Sequence, residues 1–225
     1  MDRRAEVLAE LARHVVAVRR PHPVRVGVDG SSAAGKSTLT DELAEAVRAV
    51  TDRPVIRVGI DHFKRRVDLR TQYPPDSPES YYRDSWDNAA IRDQLLVPLG
   101  PAGSRRYRDA VMNLPGTEAV DGPVHIAPDD AILLADGAFL QRPALDPYWD
   151  LRIYLEIGFD VVLSRGIARD QAWMGDAAKV EHRYRTKYIP GEQLYVAEVR
   201  PQERADLVVD NTDFAAPVLR VRQAG

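Results

Sequence analysis

Gly30-Ser31-Ser32-Ala33-Ala34-Gly35-Lys36-Ser37 decides how this chain of 225 residues is read. The stretch has the spacing G-x-x-x-x-G-K-[ST]. Small residues there let successive backbone N–H groups turn onto phosphate oxygens, while the lysine reaches the outer phosphates and the hydroxyl holds Mg²⁺. Its flanks give it the required context. Val24-Arg25-Val26-Gly27-Val28 alternates like a buried strand, and Leu39, Leu43, Ala46, Val47 and Val50 recur at helical spacing behind the lysine. Residues Gly30 to Thr38 are therefore expected to cradle a nucleoside triphosphate, and a glycine turn that binds nothing is the weaker reading.

Working outward, apolar strand-like runs fall at 24–28, 55–60, 131–135 and 151–157, with a weaker one at 206–210. Helical patterns lie between most of them. Strands alternating with helices predict an α/β fold with a parallel sheet covered on both faces and ligands at the carboxyl ends of the strands. The length suits one domain over 1–225. Lys64 to Ser85 has no apolar period and is expected to be a functional loop with a short turn or two. Arg105 to Ile126, broken by Pro115-Gly116 and Gly122-Pro123, predicts a β-hairpin insertion. Ala215 to Gly225 is expected to be loosely held.

Composition narrows the partners. With 31 basic and 34 acidic residues the net charge is −3, so nucleic acid is not expected as a partner. The absence of cysteine excludes disulfides, thiolate metal sites and a cysteine nucleophile. Met1-Asp2-Arg3-Arg4-Ala5-Glu6 leads into an amphipathic stripe instead of a signal peptide, and no run is apolar enough to cross a membrane. A cytoplasmic protein is the expectation, with a homo-oligomer left open. The five histidines show no zinc-motif spacing.

Carboxylates that end strands carry the chemistry. Val55 to Ile60 runs straight into Asp61, which would stand at the sheet mouth beside the outer phosphate, placed to take a proton from an attacking hydroxyl; a helix-capping role is the rival. Ala131 to Ala135 ends in Asp136-Gly137, where an acid is expected to touch Mg²⁺ directly or through water; a plain strand-end turn is the rival. Asp29 is a third acid, expected to support or cap. Phosphoryl transfer also needs cations as charge spreads over the transferred group. Arg165 and Arg169, four apart, share one helix face in a lid expected over 161–190, with Gly175 as a hinge and Arg183, Arg185 and Lys187 as a second basic cluster; solvated helix faces are the rival reading. Trp173 is expected to fill a gap or to lie on a base.

With these residues in view, the chain resembles the uridine kinase and phosphoribulokinase-like group of P-loop kinases over most of its length. Val28 to Thr38 is similar to that group's loop. Asp61-His62-Phe63-Lys64 is similar to its D-x-F-[YH]-[KR] segment, and Leu163 to Asp170, with its Arg-x-x-x-Arg-Asp ending, looks like its lid. Asp84-Ser85-Trp86-Asp87 stands where uridine kinases have a D-A-F-D segment near the ribose, and Arg106-Tyr107-Arg108 where a tyrosine lies by the base. The resemblance implies a three-layer P-loop kinase sandwich with a helical lid and a small hairpin insertion. It implies ATP and Mg²⁺ as cofactors, Asp61 as base, Lys36, Arg165 and Arg169 as catalytic cations, and Ser37 and Asp136 toward the metal. Asp61, Phe63, Asp84, Trp86 and Tyr107 would line an acceptor such as the 5′-hydroxyl of a nucleoside. Three departures stand out, one being that the lid stretch lacks the Arg-Gly-Arg that often follows its Arg-Asp. Asp136-Gly137 replaces the usual Glu-Gly, and Asp109-Ala110-Val111-Met112-Asn113 lacks the histidine that reads the pyrimidine. Other acceptors of the same fold therefore stay open: a nucleoside monophosphate, a pantothenate-like compound or a sugar. A non-catalytic nucleotide switch fits less well, because Asp61 is present and no N-K-x-D is.

Overall fold

In the computed structural model, which describes residues 2–222, the alternating runs become a sheet with helices on both faces. Helix α1 spans Arg3–Ala17 and is capped by Asp2, whose carboxylate accepts the Arg4 N–H; its buried stripe is Val7, Leu11 and Val15. Strand β1 (Val24–Gly30) leads through the glycine loop into α2 (Lys36–Arg48), and β2 (Val55–Gly59) follows. The short helices α3 (Pro78–Asp84) and α4 (Asn88–Ile91) precede a two-stranded hairpin, β3 (Arg106–Tyr107) with β4 (His125–Ile126). Then come β5 (Ile132–Asp136), β6 (Leu151–Glu156), α5 (Phe159–Met174), α6 (Ala177–Arg183), α7 (Ile189–Val199) and α8 (Pro201–Arg204), and finally β7 (Leu207–Asp210) and β8 (Val218–Val221).

The sheet order is β2-β5-β1-β6-β7-β8; the first five strands are parallel and β8 is antiparallel. Because side chains alternate across a strand, each strand feeds two cores. Val24, Val26 and Val28 of β1, with Ile132 and Leu134 of β5, join α1 and α2 on one face. Leu133 and Ala135 join Tyr81, Phe139, Trp149 and Tyr195 on the other. There the ring of Trp149 lies so close to Gly27 that a Cβ would stand 2.8 Å from it, which is why that strand position carries no side chain. Register aligns the strand ends: Asp136 is opposite Val28 of β1 and Gly59 of β2, so the loop after β1, Asp61 and Asp136 meet at one edge.

Three expectations change. The stretch 64–85 contains a true helix, α3: Ser77 caps it, accepting the Ser80 N–H at 3.1 Å, Pro78 opens it, and Tyr81 and Tyr82 bury its one apolar side. Seven residues were too few to show a period. Within the segment expected to be loosely held, Val218–Val221 pairs with β7 as β8; residues 223–225 lie outside the described residues. The lid region continues past 190 into α7, after a break at Gly175 (φ 78°) and a π turn over Tyr184–Tyr188. No helix among the described residues is long and apolar enough to cross a membrane.

Candidate active site

The phosphate loop owes its shape to three backbone specials. Gly35, with φ 87°, opens α2, Gly30 has φ 152°, and Ala33 accepts a left-handed φ of 56°. Asn211, just beyond β7, locks the turn by donating from Nδ2 to the Ala34 carbonyl at 2.7 Å. The first N–H groups of α2 have no intrahelical acceptor and face outward, ready for an anion. Lys36 Nζ donates to the Ser31 carbonyl at 2.8 Å, so the ammonium is folded over the loop it serves.

A cleft of about 650 Å³ gathers most of the expected residues. The loop supplies Lys36, Ser37 and Thr38; the end of β2 supplies Asp61 and His62; the end of β5 supplies Asp136 and Gly137; α5 supplies Arg165 and Arg169; Trp86 closes the far wall. Asp136 is buried, accepting the Ser37 hydroxyl at 2.6 Å on Oδ2 and meeting Arg57 Nη1 at 2.7 Å on Oδ1. A hydroxyl in contact with a carboxylate at the phosphate loop is a hard-oxygen pair that suits Mg²⁺. Among the described residues no three His, Cys, Asp or Glu converge.

The two lid arginines are anchored. Arg165 donates to the carbonyls of Asn211 at 3.1 Å and Thr212 at 2.8 Å, tying α5 to the turn after β7. Arg169 pairs with Asp170 at 2.6 Å, an ion pair that raises the arginine's pKa further; Asp170 also accepts the Tyr184 hydroxyl at 2.8 Å. The basic cluster at Arg183, Arg185 and Lys187 lines no part of the cleft. Trp173 is 68% exposed and fills no gap, contrary to expectation.

On the acceptor side the expected residues divide. Trp86 faces the cleft, whereas Phe63 is fully buried in the second core. The reason is the 3₁₀ turn Ile60–Phe63, whose positions i and i+3 eclipse: Ile60 and Phe63 go inward together, leaving Asp61 and His62 outside. Asp84 is inaccessible, held by Arg65 at 2.9 Å and by the Gln72 N–H at 3.4 Å. Tyr107 packs in the hairpin, away from the cleft, and its cross-strand partner His125 brings an imidazole to 5.3 Å from its ring. A histidine thus stands beside Tyr107, supplied by the opposite strand instead of the residues just after it. Asp29 is a support: fully buried, it accepts the Gly30 N–H at 2.8 Å, the Gln141 N–H at 3.3 Å and the Tyr195 hydroxyl.

Sequence reasoning missed Glu192. This α7 residue is 1% exposed; its Oε1 accepts the Ser32 N–H at 2.6 Å, and its Oε2 is buried without a partner. Burial pushes its pKa up to about 7, against the opposing pull of the Ser32 N–H and the Lys36 charge. Tyr81 meets the same loop residue through a 2.9 Å hydroxyl contact with Ser32 Oγ. The signal that could have found Glu192 is a lone acid three residues after Ile189 and three before Tyr195, inside an apolar stripe.

No family model matches the chain. It is similar to uridine-cytidine kinase A of Dictyostelium discoideum, 25% identical over 194 residues, which are 84% of this chain and 36% of that protein, so it spans about a third of that relative's length. It is also similar to a uridine kinase of Clostridium botulinum, 24% identical over 196 residues, 83% of this chain and 87% of that one. Among solved structures it superposes on a possible uridine kinase from Bacillus stearothermophilus with a TM-score of 0.71 and 20% identity, covering 91% and 97% of the two chains. The fold is that of the P-loop kinases, and the chain is uridine kinase-like.

Proposed function

We propose that this uridine kinase-like chain transfers the γ-phosphoryl group of Mg·ATP to the hydroxyl of a small molecule, the 5′-hydroxyl of a uridine- or cytidine-like nucleoside being the favoured acceptor. The observation that carries it is the one cleft that Asp61 lines together with Lys36, Ser37, Asp136, Arg165 and Arg169. Its volume is within the range of small-molecule sites. The loop amides and Lys36 hold the β and γ phosphates. Asp61, exposed in the same cleft, orients the acceptor hydroxyl and takes its proton as the oxygen attacks phosphorus. Arg165 and Arg169 neutralise charge on the transferred oxygens. Ser37 and Asp136 would hold Mg²⁺, which supplies charge neutralisation at the phosphates.

A second reading keeps the reaction and gives the acceptor a negative group. Beyond Trp86 a cavity of about 500 Å³ is lined by Lys64, Arg65, Arg66 and Arg83. Three of these already have acids: Asp84, Asp68 and Glu198 respectively. Their attraction for a further anion is reduced accordingly, and the uncharged nucleoside remains the favoured acceptor.

The test is ADP release from Mg·ATP against a panel of nucleosides, nucleotides, sugars and vitamin precursors, with mass identification of the product. Uridine or cytidine should be phosphorylated, and Asp61→Asn should lower turnover at least about a hundredfold with ATP binding intact. Transfer only to a non-nucleoside would discard the acceptor assignment, and no transfer to any compound would discard the kinase.

A further inference from the structure

Two members of the basic cluster that the cleft leaves unused, Arg183 and Lys187, line a groove of their own. It has a volume of about 500 Å³ and runs between α6 with its π turn and the segment just ahead of α3. Lys179, His182, Arg183 and Lys187 face it, opposed by one acid, Asp76. Among the described residues neither Lys179, His182 nor Arg183 has an acidic side chain within salt-bridge distance. The neighbouring Arg185, outside the groove, pairs with Glu181 at 2.8 Å. Arg183 Nε is buried with no acceptor, and its guanidinium stands 5.5 Å from the ring centre of Tyr188. Lys187 is 9% exposed; its ammonium donates to the Pro75 carbonyl and lies 3.7 Å from Asp76, itself largely in water.

We propose that this groove is a binding site for a small phosphate-bearing anion, separate from the phosphate loop. Cations brought together with few counter-charges repel one another, and a concave wall focuses their field. Burial depresses the pKa of Lys187 most, and the charges of Arg183 and Arg70 add to it against the pull of Asp76. An oxyanion with several acceptor oxygens relieves the repulsion and accepts hydrogen bonds from the Arg183 guanidinium and the lysines at once. The concavity selects a compact phosphate compound over a strand of nucleic acid, and no groove residue lines the catalytic cleft.

Isothermal titration of the whole chain with inorganic pyrophosphate tests this without reference to turnover. Pyrophosphate also fits the loop, so Lys36→Ala is the background in which the groove is read. Two classes of site are expected in the unmutated protein and one in Lys36→Ala. In that background Lys179→Gln with Arg183→Gln should weaken the remaining class at least about tenfold, through loss of two charged hydrogen-bonding groups. Lys179→Gln alone, at an exposed position, should weaken it at least about threefold and serves where the double variant fails to fold. Loss of all binding in Lys36→Ala, or unaltered affinity on removing Lys179, would overturn the assignment. So would tighter binding of a short single-stranded RNA than of pyrophosphate.

Discussion

Glu192→Gln should make the protein progressively more stable than its parent as pH rises. The carboxyl is buried against the phosphate loop, and its pKa goes from an ordinary 4.5 to about 7. Between those values the folded protein keeps a proton that the unfolded chain has shed. The contribution is therefore fully present below the unfolded value and lost as pH rises through the folded one. At about 1.4 kcal/mol per unit, the complete loss is about 3 kcal/mol. About 2 kcal/mol of it falls between roughly pH 5.5 and pH 8.5. Glutamine cannot ionise, keeps an oxygen for the Ser32 N–H, and places an amide where Oε2 now has no partner. Urea unfolding of both proteins at about pH 5.5, 7 and 8.5 gives the difference directly. A difference that stays constant within about 0.5 kcal/mol over that range would refute the view that burial governs this acid.

Two further substitutions probe the packing of the lid. Gly166→Ala puts a Cβ 2.3 Å from the Tyr184 ring, whose hydroxyl holds Asp170. It should cost about 3 kcal/mol in denaturant unfolding, and unchanged stability would contradict the tight α5 contact. Trp173→Ala removes a side chain that is 68% exposed and donates only to Asp170, at 3.2 Å. Its unfolding free energy should stay within about 0.5 kcal/mol of the parent, and a larger loss would mean that the indole packs on something further.

What the sequence disclosed and what it hid follow from the range over which each signal acts. The loop, the parallel strands and Asp136 were legible because glycine spacing and apolar alternation are local, and because a strand's end places its next residue without outside help. Phe63 shows where locality misleads. A motif two residues beyond Asp61 suggested a second side chain on the acceptor, but the three-residue turn that exposes the acid must send Ile60 and Phe63 inward. Tyr107 misleads in the opposite way: its histidine neighbour comes from a strand eighteen positions on, across the hairpin register Tyr107↔His125.

Glu192 is the extreme case, since it meets Ser32 from 160 residues away and no pattern near either residue encodes their meeting. Yet one inference was available from α7 alone. An acid on the stripe of Ile189 and Tyr195 would cost several kcal/mol if it were buried unpaired, so a fold that keeps it there must supply a donor. The loop after β1 is one source of such donors, because the turns that expose N–H groups for an anion leave them without internal acceptors. A lone buried acid and a loop short of acceptors satisfy each other. The same exposed N–H groups that would suit an anion therefore hold α7 against the loop through Ser32 and fix where that helix can sit.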